Sequence, residues 1–192
     1  NVASRTHTVT KAYGGTSIST SHRDGRPLST TGTAGVHEFS QYDVETDGRQ
    51  LTQVNAGSAN SPRWVKTWRD WLWRESKSER PSFAGQSGVL VEEKIYGTVS
   101  GTSSLGHLVQ TTKPGYAATL YEYNALGQVS RTGLDCNASG ALELNGTDRI
   151  TDTDTYLEEF PSGTAVWWMR TDTRNYFVDG SVTPVLASIS RK

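Results

Sequence analysis

The residues whose types and spacing best fit a chemical role form a short oxygen-rich loop in the second half of the chain. Oxygen-bearing side chains stand at its first, third and fifth positions, a glycine at its sixth and an acid at its ninth. An EF-hand-type loop begins in this order, because glycine permits the sharp turn that gathers the oxygens around one calcium ion. The predicted calcium ligands are Asp135, Asn137, Ser139, the carbonyl of Ala141, and Glu143.

The second half of this loop departs from the calcium pattern. Its twelfth position is Gly146 instead of a bidentate Glu, and Asp148 is the nearby acid that could substitute. With one carboxylate at the first position and neutral donors after it, the sequence predicts weak calcium binding. The alternative is an Asx-rich turn that links two strands without a metal.

Few other residues are arranged for catalysis. An acidic run could complete a cation site or pair carboxylates for glycosidic cleavage, whereas its structural interpretation is a solvated strand edge that resists edge-to-edge pairing. The histidines are scattered without metal spacing, no Gly-x-Ser-x-Gly motif occurs, and the single Cys136 excludes an internal disulfide framework. We therefore expect a protein that is not an enzyme. The acidic run comprises Asp148, Asp152, Asp154, Glu158 and Glu159.

Tryptophan is the second chemical feature of the chain. In the stretch from Arg63 to Glu79, three tryptophans follow the i, i+4, i+7 spacing of a helix face. The β character of the remaining chain nevertheless favours strand for this stretch. A second aromatic strand is predicted from Ala165 to Thr171. Indole rings either fill a core or form an exposed platform that stacks on sugars, and their burial separates these two functions. The six tryptophans are Trp64, Trp68, Trp71, Trp73, Trp167 and Trp168.

Composition narrows the fold and the partners. The 192 residues include 25 Thr, 21 Ser and 19 Gly, which together with the aromatic residues favour β-structure. Lys and Arg number 19 against 20 Asp and Glu, a formal net charge of −1 that argues against nucleic acid as a partner. No apolar run has the length of a membrane span. The chain begins with Asn1 instead of Met, which we interpret as a processed chain or an excised piece of a larger one.

An internal repeat organises the chain. Each copy has a turn ending in Gly, a short alternating strand and a second Gly, and a weaker fifth copy begins at Asp179. Glycine accepts the positive φ of tight β-turns, so these steps predict hairpins. Strands are expected to arrive at the turns over residues 36–42 and 118–123, with Leu120 and Glu122 on one face of the second. The four clear copies are residues 24–32, 47–57, 105–115 and 126–133.

These copies resemble the RHS-repeat (YD-repeat) family, whose motif is Tyr-x-Tyr-Asp-x-x-Gly-Arg. Residues 121–128 read Tyr-Glu-Tyr-Asn-Ala-Leu-Gly-Gln, with Asn124 in place of the Asp and Gln128 in place of the Arg. An earlier copy keeps Tyr42-Asp43 and Gly48-Arg49 but has four residues between them, and the first copy keeps Asp24-Gly25-Arg26. The resemblance covers most of residues 13–133.

The resemblance implies an all-β fold in which consecutive antiparallel hairpins form a curved ribbon, part of a spiral shell. Residues 1–192 are then one segment of that shell, with hairpin insertions over 58–104 and 134–178. It also implies a secreted or cell-surface bacterial scaffold that encloses a toxin or effector polypeptide, with neighbouring repeats or other copies of the chain as partners. The alternative is an extracellular carbohydrate-binding or adhesion module, or a fibre subunit, that uses exposed aromatic rings.

Overall fold

The computed structural model describes residues 4–83 and 87–192, so Asn1 and a short part of the 58–104 interval lie outside the described residues. Every regular element within the described ranges is a β-strand. The strands are β1 (Arg5–Thr10), β2 (Thr16–Ser21), β3 (Pro27–Thr31), β4 (Glu38–Val44), β5 (Gln50–Ala56), β6 (Trp64–Arg69), β7 (Glu75–Pro81), β8 (Val89–Tyr96), β9 (Leu108–Thr112), β10 (Ala118–Tyr123), β11 (Val129–Asp135), β12 (Arg149–Glu159), β13 (Trp167–Tyr176) and β14 (Val185–Arg191).

The strand order in the sheet is the order in the sequence, and paired strands run antiparallel. This confirms the predicted all-β fold of consecutive hairpins. The curvature of the ribbon and its place in a spiral shell stay predictions. The part of the chain that the structure describes contains no helix long and apolar enough to cross a membrane.

The chain divides into two compact units, one from Asn1 to Glu93 and the other from Lys94 to Lys192. In the first unit, β4 and β5 pair over seven residues and β5 continues into six pairs with β6. In the second unit, β12 and β13 form the longest ladder, with ten residue pairs. Interval 58–104 contains β6, β7 and β8, and interval 134–178 contains β12 and β13.

One hairpin turn recurs in both units. Its first residue donates its N–H to the carbonyl of the fifth, and the fourth donates to the carbonyl of the first, at 2.7–3.0 Å. The fourth residue has a positive φ, as in a type I turn followed by a left-handed residue that forms a bulge. Among the described residues, the turns of this kind are Lys11–Gly15, His22–Arg26, Glu45–Arg49, Asp70–Arg74 and Asn124–Gln128.

Three of the predicted repeat copies contain this turn, those with Gly25, Gly48 and Gly127 at the fourth position. The copy at residues 105–115 enters β9 differently, because Leu105 forms a parallel bridge with Gly97 and the Gly106 N–H donates to the Gly97 carbonyl at 2.8 Å. The weak fifth copy also differs, since the Gly180 N–H donates to the Gly146 carbonyl at 2.8 Å instead of closing a hairpin.

The aromatic stretch from Arg63 to Glu79 is strand, as predicted, but a turn divides it into β6 and β7. Trp71 and Trp73 lie in that turn and not on a strand face. The turn forms because the Asp70 carboxylate accepts hydrogen bonds from the Leu72 and Arg74 N–H groups at 2.9 Å. Side-chain bonds of this kind stabilise tight turns against continued strand.

The hydrophobic core of the second unit lies where β10 to β13 present one row of side chains. Register places Leu120, Gly133, Ile150 and Tyr176 opposite one another across these four strands. A Cβ atom at Gly133 would lie 3.0 Å from the Leu142 side chain, so the missing side chain lets the loop after β11 pack onto the row. Leu120 is the buried residue of β10.

Candidate functional site

The loop predicted to bind calcium is organised by two buried carboxylates. Asp135, the last residue of β11, accepts the Ser139 N–H at 2.9 Å and the Gly140 N–H at 2.8 Å, one on each carboxylate oxygen. Asp148 accepts the N–H groups of Cys136 and Glu143, both at 2.9 Å. Both acids are at most 5% exposed. Their oxygens therefore fix the path of the loop backbone.

The remaining predicted ligands lie in the same loop and bond to one another. The Asn137 amide donates to Glu143 Oε2 at 2.9 Å, and the Ser139 hydroxyl donates to the Ala141 carbonyl at 3.2 Å. Within residues 4–83 and 87–192, no group of three or more His, Cys, Asp or Glu side chains is arranged to hold a metal. The loop thus has the bonding of an Asx-rich turn, and calcium binding by it stays a prediction.

Three acids of the predicted run, Asp152, Asp154 and Glu158, lie in β12 and pair with arginines of β13 and β14. Arg170 lies 2.6 Å from Glu158 and 2.6 Å from Asp172, and Arg191 lies 2.7 Å from Glu158. The hydrogen bond from Arg191 is the main cause that lowers the pKa of Glu158, and the bond from Arg170 does the same for the pKa of Asp172. These carboxylates are ionised members of a charge network, an arrangement that differs from a proton-sharing catalytic pair.

A row of four charged residues crosses β10 to β13 of the second unit, on the same face of β12 as Glu158. Register places Glu122, Arg131, Asp152 and Arg174 opposite one another on β10 to β13, so the sign of the charge alternates from strand to strand. Arg131 Nη1 lies 3.0 Å from Glu122 Oε2. Opposite charges on adjacent strands stabilise the register of a sheet. The sequence did not predict these charge pairs, because strand pairing, and not spacing along the chain, brings the residues together.

Four tryptophans are exposed. Trp71 is 82% exposed, Trp73 61% and Trp167 63%, while Trp168 is 38% exposed. Trp68 is the buried exception, and its Nε1–H donates to Glu45 Oε1 at 2.9 Å. Trp64 is half-buried. Burial therefore separates one core residue, Trp68, and the half-buried Trp64 from four tryptophans that are available for contact with a ligand or partner.

The turn between β6 and β7 presents Trp71, Leu72 and Trp73 to solvent. Asp70 holds this turn through a 2.7 Å ion pair with Arg74 and the N–H bonds described above. Partial burial opposes ionisation of the Asp70 carboxyl, but the hydrogen bonds from Arg74 outweigh it, so the pKa of Asp70 lies below its ordinary value. The contacts of Asp70 thus define the backbone of the turn that carries the aromatic tip, Trp71 to Trp73.

A groove of about 280 Å³ lies beside this tip in the first unit. Register places Tyr42 opposite Thr52 and Val44 opposite Gln50, which puts all four on one face of β4 and β5. The other groups that line the groove are Trp73, Arg26, Asp43 and Leu51. No motif in the sequence marks this site, because it is assembled from three separate hairpins.

No protein-family model matches the chain, and a search of curated proteins also finds no match. The resemblance to the RHS-repeat family therefore rests on the hairpin motifs of the chain itself. The structure supplies geometry for those motifs.

Proposed function

We propose that the chain is a non-enzymatic scaffold, a segment of an RHS-type hairpin ribbon in a secreted or cell-surface bacterial protein. It assembles with neighbouring repeats of the same polypeptide or with other copies of itself, and it encloses a toxin or effector polypeptide. The observation that carries this proposal is the recurrence of one hairpin turn in five places, in four of which the side chain of the fifth residue bonds to a side chain of the same turn.

The closing interaction gives the motif residues a structural role. In turns with Asp at the third position, Asp24 accepts the Arg26 side chain and Asp47 accepts the Arg49 side chain, each at 2.7 Å. In both pairs the Asp also accepts the Arg backbone N–H at 3.0 Å. The motif thus builds turns, and no reacting group is needed to explain its residues.

The other two turns use the first position instead. Asp70 accepts the Arg74 Nε–H at 2.8 Å, and Asn124 donates to Gln128 Oε1 at 3.1 Å in the same two positions. Asn124 and Gln128 are therefore a neutral version of the Asp and Arg in the family motif. The turn at Asp70 follows the family's Asp-x-x-Gly-Arg with Trp73 in the glycine position, a copy that sequence reasoning missed.

The exposure of the sheet supports an assembly function. A sheet normally buries one face against a second layer, yet the buried hydrophobic residues of the described chain are Trp68, Leu120, Leu142, Ile150 and Tyr176. All six residues of β1 are exposed, and β1 pairs with β2 alone in the described sheet. An edge of this kind offers free N–H and C=O groups to a neighbouring strand.

The test uses the complete open reading frame that encodes the chain. The scaffold function predicts further hairpins of this type outside the 192 residues and a segment protected from protease. Gly48→Val and Gly127→Val place a β-branched residue at a positive φ and are expected to expose that segment. Gly35→Val, where φ is not positive, is the matched control. A reading frame without further hairpins, or without a protected segment, contradicts the proposal.

A second candidate function is a surface module that binds carbohydrate. The observation that favours it is the exposure of Trp71, Trp73, Trp167 and Trp168, since indole rings held in solvent are suited to stack on sugar rings. The two functions are compatible in one extracellular protein.

A further inference from the structure

Trp73 occupies a backbone position that glycine holds in the four other hairpins of the same type. Its φ is 65°, against 75–90° for Gly14, Gly25, Gly48 and Gly127. A side chain in this left-handed region costs about 1–2 kcal/mol. The same turn closes with glycine, so folding does not require an indole here. Strain of this kind is retained where the side chain has another role.

The indole of Trp73 forms one side of the groove described above. Arg69, which pairs with Gln50 in the sheet, places its guanidinium 5.5 Å from the Trp73 ring centre and supports the ring from the β6 side. On the β3 side, the Arg26 guanidinium lies 4.8 Å from the centre of the Tyr42 ring. Both aromatic rings are therefore held by cations before any ligand arrives.

The floor of the groove provides polar groups in positions to bind hydroxyls. Gln50 and Thr52 lie on the face of β5 that continues the face of Tyr42 and Val44 on β4. Alternation along β4 places the Asp43 carboxylate on the opposite face of the sheet. An amide and a hydroxyl together offer both donors and acceptors, as adjacent sugar hydroxyls require.

The size and the charge of the groove restrict the class of ligand that it can bind. The volume of about 280 Å³ is at the lower limit for small-molecule sites and suits a single sugar ring. The positive charge of Arg26, which lines the groove, is already paired with Asp24 at 2.7 Å. This pairing disfavours the use of Arg26 to bind an anionic sugar.

We propose that the groove between Trp73 and Tyr42 binds one ring of a neutral oligosaccharide, with the C–H face of the sugar on the Trp73 indole and its hydroxyls on Gln50 and Thr52. This inference rests on the second candidate function and names the site that performs it. It is independent of the scaffold function.

The experiment titrates the chain with neutral cello-, malto-, manno-, xylo- and chito-oligosaccharides and measures heat of binding. At least one series binds, and Trp73→Gly weakens that binding about tenfold or more, as removal of a central aromatic contact does. The variant keeps its fold because glycine is the residue of the equivalent turns. Trp71→Ala is the matched control, since Trp71 lies in the same turn, is 82% exposed and does not line the groove.

The other outcomes overturn the proposal in different ways. Binding that survives Trp73→Gly but is lost on Trp167→Ala or Trp168→Ala rejects this groove and leaves the carbohydrate-binding function intact. Binding of none of these oligosaccharides rejects both. Binding of a proline-rich peptide that is lost with Trp73→Gly keeps the groove as a site but rejects a sugar as its ligand.

Discussion

The hydroxyl of Tyr123 donates a 2.7 Å hydrogen bond to the carbonyl oxygen of Leu108, fifteen residues earlier in the chain. Tyr42 makes the same bond to Pro27 at 2.9 Å, also across fifteen residues. Each tyrosine stands directly before the Asp or Asn of its repeat copy. The repeat tyrosine thus links the strand that enters the turn of its own repeat copy to the strand that follows the turn of the preceding copy.

The first prediction concerns this bond. Tyr123→Phe and Tyr42→Phe each remove one hydrogen bond and leave a carbonyl without its donor, so each lowers the free energy of unfolding by about 1 kcal/mol. Urea unfolding followed by tryptophan fluorescence measures the change. Tyr116→Phe is the control, because Tyr116 is 79% exposed. Equal stability of all three variants contradicts a structural role for the repeat tyrosines.

The glycine of the hairpin turn provides the second prediction. Gly48 has a φ of +85° and open space where a Cβ atom would lie, so Gly48→Ala tests backbone conformation alone and costs about 1 kcal/mol. Gly35→Ala also meets open space but without a positive φ, and it leaves stability unchanged or slightly raised. Thermal unfolding compares the pair. A larger loss for Gly35→Ala is the result that opposes this account.

The third prediction separates strain from side-chain contact at Trp73. Trp73→Ala and Trp73→Gly both remove the contact with Arg69, but only glycine relieves the positive φ. Trp73→Gly is therefore expected to be more stable than Trp73→Ala by about 1 kcal/mol. Chemical denaturation of the two variants measures the difference, and equal stabilities show that the turn carries no strain.

The charge network of β12, β13 and β14 predicts acid sensitivity. The folded-state pKa values of Glu158 and Asp172 lie below their ordinary values of 4.5 and 3.8. Such groups stabilise the fold above these ordinary values and lose that contribution as pH falls through them toward the folded pKa. The melting temperature should therefore fall in this range.

Substitution of the shared arginine tests the source of that sensitivity. Arg170→Gln should lower the melting temperature at neutral pH and flatten its fall in acid, because Glu158 and Asp172 both lose a partner. Arg149→Gln removes an exposed ion pair with Asp179 and serves as the control, since such pairs contribute little. An acid profile unchanged in Arg170→Gln assigns the sensitivity to other groups.

The loop predicted to bind calcium requires a variant that does not disturb its backbone. Asp135→Asn replaces one of the two carboxylate oxygens that accept loop N–H groups, so it lowers stability by about 1–3 kcal/mol even in chelator. Glu143→Gln keeps the loop bonds that the backbone makes. Calcium is expected to raise the melting temperature of the unmodified chain slightly, and Glu143→Gln is expected to remove that rise. A melting temperature that does not respond to calcium rejects the metal site.

The features that the sequence determined by itself are those that depend on a few neighbouring residues. Alternation of side chains predicted the strands that enter the turns at Glu45–Arg49 and Asn124–Gln128. Asp-Gly or Leu-Gly steps predicted three of the five hairpin turns, because a turn depends on the φ of one residue and on bonds within five residues. The five predicted calcium ligands also fall in one loop, because they are close together in the sequence. The turn at Asp70 escaped detection because its positive-φ residue is Trp73.

Strand pairing decided what the sequence left open. One partner of Glu158 is Arg191, 33 residues away, and the groove beside Trp73 is assembled from three hairpins. Which tryptophan is buried was likewise a matter of tertiary structure, since Trp68 lies on a strand face and Trp71 in a turn. Register is a property of two strands together, so the contacts that build a binding site exist only once the sheet has formed.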